Sequence, residues 1–513
     1  MPLPSISHLT IDGIPTYVAD IRAIYTGTLT FGVGMRDESA RTAGTAHLLE
    51  HLVMQRVGKV KVAHNATTAD ETISFYAQGA PHLVADFLSR VATAIATLHQ
   101  ITDADVAEQR RVITAELGEG DEFVGRGPLL NRFGANSLGL LDIGSPAHRS
   151  LTREAALAFA DSWLHTGNAV LTFTGDVPPG LALHLPAARS LPDRPTPVIL
   201  PHRRTGWLVD GPMPLAISML LGPASNAAVG VAGSLLADAL HSELRTAQHK
   251  IYSVSPFVGA VTANSRFVAY ALDPRPEDAV AAGRGAVQVI RTLAEMGPDE
   301  AQLLEELDRW SQGDDDPAAQ AEVLDAVAVS VVRGRRDPDD LVPIVTEGLT
   351  REDIRRVIAA AVPSLFVTFG AGIVSDRDHG VTEALGIPFS EQPEAYTAGL
   401  TKTQLVMHLA KPGVALFSPR MFRGMGGWNL AIDHERATLT VPGEPPFEIR
   451  FDDVVLAGYS DTDSFWSLVA AGGDGLSLHL DDWRGRAQLH RLLEERLPSE
   501  AQFRIAVGEA EVA

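Results

Sequence analysis

Residues 44–54 read GTAHLLEHLVM, and the pentad His47-Leu48-Leu49-Glu50-His51 within them decides how the rest of the chain is read. A helix turns by about 100° per residue, so residues four apart share a face and residues three apart lie beside it. His47 and His51 can therefore offer two imidazoles to one metal ion, with Glu50 in reach of a water at that ion. Zinc accepts two nitrogens and a carboxylate oxygen and leaves a fourth position open. The bland alternative is an amphipathic helix with two incidental histidines. With 17 His and 64 acidic residues in 513 positions, random placement gives roughly 0.07 such pentads, so the surroundings have to decide.

A third ligand has to come from elsewhere, and the helical stretch 103–118 (DADVAEQRRVITAELG) supplies Glu116. Between the two stretches lies His64-Asn65-Ala66-Thr67-Thr68, followed by the aromatic run Ile73-Ser74-Phe75-Tyr76. H-x-x-E-H is the inverted zinc-protease motif. Followed by N-A-x-T, an aromatic strand and a Glu after V-[IV]-x-x, it resembles the M16 metallopeptidases, the group of pitrilysin, insulin-degrading enzyme and mitochondrial processing peptidase. The resemblance implies His47, His51 and Glu116 as ligands of one Zn2+ per chain and Glu50 as general base. It also implies an edge strand on which Asn65 and Ala66 pair with the substrate backbone. Two positions depart from the family pattern. Gln109, with Glu108 beside it, stands where the family carries an acid seven residues before its ligand Glu, which bears on the tuning of the metal from behind its ligands. The segment from His51 to Asn65 is shorter than usual by about one short helix, which implies an altered cleft rim.

A chain of 513 residues is expected to form two to four domains, because single cores stop growing near 250–300 residues. Zero Cys excludes disulfides, thiolate metal sites and cysteine nucleophiles. The start, MPLPSISHLTIDGIP, shows no basic-then-apolar leader, and a cytoplasmic location is expected. The run 357–374 (VIAAAVPSLFVTFGAGIV) is long enough to suggest a membrane span, but Pro363 and Ser364 cut it into a helix end and a short strand. A net charge of −22 argues against nucleic acid and anionic membrane as partners, since both call for basic patches.

Along the chain, residues 8–34 alternate as two or three strands, the metal helix follows, TISFYAQG is a strand and 81–99 an amphipathic helix opened by Pro81. After the Glu116 helix, LLNRFGANSLGLLDIGSP reads as a loop-rich connector, SLTREAALAFADSWL as a helix opening on Ser150 or Thr152, and NAVLTFTGDVPP as a strand. The same order returns beyond the Pro-rich 191–201: a strand in PLAISMLLGP, a helix over 225–246, strands in IYSVSPFVG and RFVAYALDP, and helices over 276–296 and 298–310. LTREDIRRVIAAAVPSLFVTFGAG closes this second pass as SLTREAALAFADSWL and LTFTGDV close the first. The acidic 313–320 reads as a solvated loop. Residues 401–513 supply short strands and the helix WRGRAQLHRLLEERL, a pattern that loosely resembles a pleckstrin-homology-like barrel. The expected fold is α+β: two homologous α/β sandwich domains, 1–198 and 199–395, and a small mostly-β domain with a closing helix, 396–513.

In the second domain, Leu244-Arg245-Thr246 followed by Ile251-Tyr252-Ser253-Val254 resembles the L-R-T…Y-x-V stretch of the family's non-catalytic half. The resemblance implies that Arg245 and Tyr252 reach across a chamber to bind the substrate and stabilise an oxyanion near the zinc. An ordinary helix-end Arg and strand Tyr are the alternative. His64, His82, His99 and His241 carry no spacing signal, and His64, next to Asn65, is the one placed to matter. Gly424, Gly426 and Gly427 read as a turn rather than a phosphate loop, since no Lys-Ser/Thr follows.

The resulting expectation is a zinc-dependent endopeptidase acting on peptides or small unfolded proteins, working as a homodimer with shared active sites. Two rivals are a non-catalytic binding or scaffold subunit on the same fold and a zinc hydrolase with a non-peptide substrate.

Overall fold

The computed structural model describes residues 6–117, 127–211, 213–312, 316–338, 346, 348–374, 379–390, 407, 412–421, 424–442 and 446–505. The alternating N-terminal stretch forms β1 (Ser7–Ile11), β2 (Ile14–Val18) and β3 (Thr26–Phe31). Asp12 and Gly13, both at positive φ, make the two-residue turn between β1 and β2, the pairing that the right-handed strand twist favours. Then come α1 (Thr45–Val57), the hairpin β4 (Ala63–Thr68) and β5 (Ile73–Gln78), α2 (Pro81–Ala96) and α3 (Asp103–Leu117). The connector holds two short helices, α4 (Pro128–Phe133) and α5 (Leu140–Ile143), where a loop-rich stretch is expected. Asp142 accepts from the amides of Leu129 and Leu130 and so caps α4 from 13 and 12 residues away, a contact without a short-range sequence signal. The Thr152 hydroxyl, accepting from Ala155 N, starts α6 (Arg153–Trp163), and β6 (Ala169–Phe173) ends the unit.

The second unit repeats the first. It runs β7 (Gly206–Val209), β8 (Leu215–Leu221), α7 (Asn226–Leu240), β9 (Val254–Thr262), β10 (Ser265–Leu272), α8 (Ala279–Met296) and α9 (Glu300–Gln312). α10 (Pro317–Val332), α11 (Arg351–Ala361), β11 (Phe366–Phe369) and α12 (His379–Leu385) complete it. The sheets have orders β1-β2-β6-β3-β5-β4 and β7-β11-β8-β10-β9. Stripped of β1, the first becomes the second strand for strand, with the same parallel pair (β2 with β6, β7 with β11). β4 and β9 are the matching edges.

α10 departs from the expectation of a solvated loop over 313–320. Asp316 accepts from Ala318 N and Pro317 occupies the first turn, so the acidic stretch ends in a helix start; residues 313–315 lie outside the described residues. The apolar side of α10, Leu324, Val327 and Ala328, packs on Tyr17, Ala19, Ile21 and Val170 of the first sheet. In return Leu129, Phe133 and Leu138 of the first unit's connector pack on Phe267 and Ala269 of the second sheet. Each unit thus lends a helix to the outer face of the other's sheet. The stretch 357–374 divides as expected between α11, a 3-10 turn and β11, and among the described residues no helix is long and apolar enough to cross a membrane.

Beyond residue 412 two four-stranded sheets form. One orders β12 (Ala415–Phe417), β13 (Asn429–Ile432), β14 (Arg436–Thr440) and β15 (Phe447–Arg450). In the other, β16 (Val454–Ser460) lies between β17 (Phe465–Ala470) and β19 (Gln502–Arg504), with β18 (Gly475–His479) outside β17. The helix α13 (Arg486–Arg496) does not close the chain: β19 follows it and pairs parallel to β16. Leu489 and Leu493 of α13 sit in this unit's own core with Trp466 and Trp483. A separate cluster joins it to the first unit, Leu456, Val469 and Phe503 against Ala40, Leu130, Leu140 and Ile143.

Candidate metal centre

Leu48, Leu49, Leu52 and Val53 of α1 are fully buried against the first sheet and α2, in one cluster with Leu29, Phe31, Phe75 and Phe87. Each such side chain contributes about 1.5–3 kcal/mol. Their sum outweighs any single polar contact, and it fixes the rotation of α1 that leaves His47, Glu50 and His51 half-buried on the opposite side. The helix needs a cap, because Gly44 has no side chain and sits at φ 96°. The cap comes from Glu38, whose two oxygens accept from Gly44 N (2.8 Å) and Ala46 N (2.6 Å).

His47 Nε2 and His51 Nε2 lie 3.1 Å apart, and Glu116 Oε2 lies 3.7 Å from the first and 3.3 Å from the second. Ligands at 2.0–2.2 Å around a tetrahedral zinc are about 3.3–3.6 Å from one another. The three atoms form a triangle of that size, so these residues fit zinc. They are also the one such His/Cys/Asp/Glu group among the described residues. The Glu116 side chain is 57 % exposed, which leaves the outer side of the triangle open. Burial and the neighbouring His51 lower the His47 pKa, against Glu116, which raises it. The neutral imidazole that results is the form a metal binds.

Glu50 is the next residue on α1. Its Oε2 accepts a hydrogen bond from Thr68 Oγ1 at 2.7 Å. Burial raises its pKa, with the Thr68 bond and His51 acting the other way. A carboxyl with its pKa moved upward is a better proton acceptor at neutral pH than an ordinary one. Thr68 ends β4, and β4 is the sheet edge, as expected for the strand of Asn65 and Ala66. Asn65 is exposed and Ala66 buried. His64 is exposed, bonds Val62 O through Nδ1 and packs on Phe87, away from the triangle's atoms.

Other expected residues fall elsewhere. Gln109 is buried on α3, on the face of Val106 and Ile113, and lies two turns from Glu116. Glu108 turns outward to pair with Arg111. Arg245 sits in a π-helical turn, residues 241–247, that continues α7; such turns are often found at functional sites. Its guanidinium lies 4.3 Å from the Tyr252 ring centroid and donates to Tyr252 O. Tyr252 precedes β9 and is 73 % exposed. Within one chain, among the described residues, neither side chain bonds to the His47–His51–Glu116 group.

A buried charge cluster around Glu71 has no signal in the sequence. Arg36 donates to Glu71 Oε1 (2.8 Å) and to Ala260 O (2.6 Å), Arg333 donates to Asp37 Oδ2 (2.5 Å), and Arg335 forms a fork on Glu71. Burial alone would raise the Glu71 pKa, but Arg335, Arg333 and Arg36 hold it below the usual value. The segment that leads into α1 is thereby tied to the second unit.

Residues 150–309 match a family model described as the Peptidase M16 inactive domain. His47, Glu50, His51 and Glu116 all precede that segment. Among solved structures, a protease from Helicobacter pylori is similar over 72% of this chain and 99% of its own, at 15% identity and TM-score 0.55. The fold is that of the M16 peptidases. A chain of complex III2 from Candida albicans matches at 14% identity and TM-score 0.56, over 74% of this chain and 99% of its own. The periplasmic protease PqqL from Escherichia coli matches 88% of this chain at 13% identity and TM-score 0.55. This chain spans 56% of that protease. Among curated proteins, none matches the chain.

Proposed function

We propose that the protein is a zinc-dependent endopeptidase of the M16 type that cleaves peptides or small unfolded proteins. One geometry carries the reading: His47, His51 and Glu116 form a zinc-sized triangle, with Glu50, the adjacent carboxyl on α1, held by Thr68. Zinc held there would supply a Lewis acid. The free edge of β4 aligns an extended peptide beside α1 through backbone hydrogen bonds. Glu50 takes the proton of the attacking water and passes it to the leaving amine.

Arg245 and Tyr252 complete the site from a second copy of the chain, the arrangement that lets two two-unit chains enclose a chamber. Support comes from their pairing on an exposed surface remote in bonding from the triangle.

The test is metal content and peptide cleavage together. Wild type should hold about one zinc per chain and cleave members of a mixed peptide library, and Glu50→Gln should keep the zinc and lose the cleavage. Full zinc retention in both His51→Ala and Glu116→Gln would sink the site. After random subunit exchange between Glu50→Gln and Arg245→Ala, half the dimers are mixed, each with one good site of two, so about a quarter of wild-type activity should return; no recovery after subunit exchange, or an active monomer, removes the shared site. A second reading, a non-catalytic partner subunit, is favoured by the inactive-domain description of residues 150–309 and by the likeness to a complex III2 chain. A wild-type protein that binds peptides without cleaving them would establish it.

A further inference from the structure

We infer that Thr68 is the positioning residue for Glu50, so that the strand that carries the peptide also aims the general base. This rests on the peptidase reading above. Strand residues alternate faces, and β4 places His64, Ala66 and Thr68 on the side turned toward the helices, with Asn65 and Thr67 on the other. Contacts confirm the assignment: His64 packs on Phe87 of α2, Ala66 joins the core with Leu48 and Leu49, and Thr68 reaches Glu50.

A glutamate side chain has three rotatable bonds, and a base must hold one oxygen at a defined place. The Thr68 Oγ1–H bond to Oε2, 2.7 Å long, removes that freedom on one oxygen. Among the described residues Oε1 accepts no hydrogen bond, so it is the oxygen left for a proton from water. Asn65 and Ala66 lie three and two residues before Thr68 on the same six-residue strand. A peptide pairing with that strand would brace the hydroxyl that holds the base, and alignment of substrate and of base would then be one event.

Three measurements on the full chain test this. Thr68→Val keeps the shape and removes the donor, and Thr68→Ser keeps the donor. Thr68→Val should lower kcat by about 10- to 100-fold, as loss of a supporting hydrogen bond behind a metal site does, with KM and zinc content unchanged. Thr68→Ser should recover most of the loss. In crystals of the metal-free proteins, the Glu50 carboxylate should be in one position in wild type and Thr68→Ser, and displaced or spread in Thr68→Val. A Thr68→Val enzyme with wild-type kcat overturns the inference, as does one with raised KM alone, which would assign Thr68 to the strand rather than the base. So does an unmoved Glu50. If wild type cleaves nothing, the peptidase reading fails on its own, and the Glu50 position still decides whether Thr68 holds it.

Discussion

Replacing Glu38 by Gln tests how α1 is anchored. Glu38 is 6 % exposed, and its carboxyl receives the amides of Gly44 and Ala46. Burial is the largest influence on it and pushes its pKa up to about 8, from 4.5, against those two amides. A carboxyl whose folded pKa exceeds its unfolded one binds its proton more tightly when folded. Its contribution is therefore complete below about pH 4.5 and is lost as pH rises toward about 8. The gap is about 3.5 pH units, and at about 1.4 kcal/mol per unit the total is about 5 kcal/mol. Gln cannot titrate, but it turns an NH2 toward one of the two amides, at a cost of about 1–3 kcal/mol. Wild type should thus be the more stable protein at pH 5, and the two curves should cross between about pH 5 and 7. By pH 9 the variant should lead by about 2–4 kcal/mol. Urea midpoints in chelator, with hydrogen exchange of the peptide covering 44–57, follow both proteins through this range. A wild-type advantage that stays constant from pH 5 to 9 would refute the reasoning, because the carboxyl would then be ionised throughout and held by its two amides.

Three other substitutions probe the frame around the site. Arg335→Ala strips the fork from the buried Glu71 and should cost about 3–5 kcal/mol; a melting temperature within a degree of wild type would show the cluster to be dispensable. Phe503→Ala, at the joint between the C-terminal unit and Leu130, Leu140 and Ile143, should cost about 3–5 kcal/mol while zinc content stays at the wild-type value. Gly34→Ala would place a Cβ 2.4 Å from Ala69 O and 2.6 Å from Glu71 N. Backbone atoms cannot swing aside, so a loss of about 1–3 kcal/mol or more is expected, read as a lower urea midpoint or loss of soluble protein.

Features whose causes are local are legible in the sequence. The pentad at 47–51, Pro81, the Thr152 cap and the paired TREAALAFADSW and TREDIRRVIAAA stretches each announce an element within a dozen residues. The repeat shows because both units use the same order of periodic segments. What stays hidden depends on partners far along the chain. α10 has apolar residues nearly all round, and the face that is buried, Leu324 and Val327, is chosen by Tyr17 and Val170 of the other unit. Glu71 and Arg335 are 264 residues apart, and Glu38 serves a helix start six residues on through a side chain that no capping motif describes. In the site, ligand spacing is legible on α1 because helix geometry fixes it. The Thr68–Glu50 bond is not, because it depends on how an edge strand lies across a helix.

The exchange of helices between the two units has a consequence for biosynthesis. β6, the last strand of the first sheet, ends at Phe173, yet its outer face is closed by Leu324, Val327 and Ala328, which are translated roughly 150 residues later. At ribosomal speeds of about 5–20 residues per second, the apolar patch of Tyr17, Ile21 and Val170 waits on the order of 10–30 s for its cover. Until then the nascent first unit cannot reach its native packing, however complete its own strands are. Slower translation between 174 and 324 would lengthen the time this patch stands uncovered.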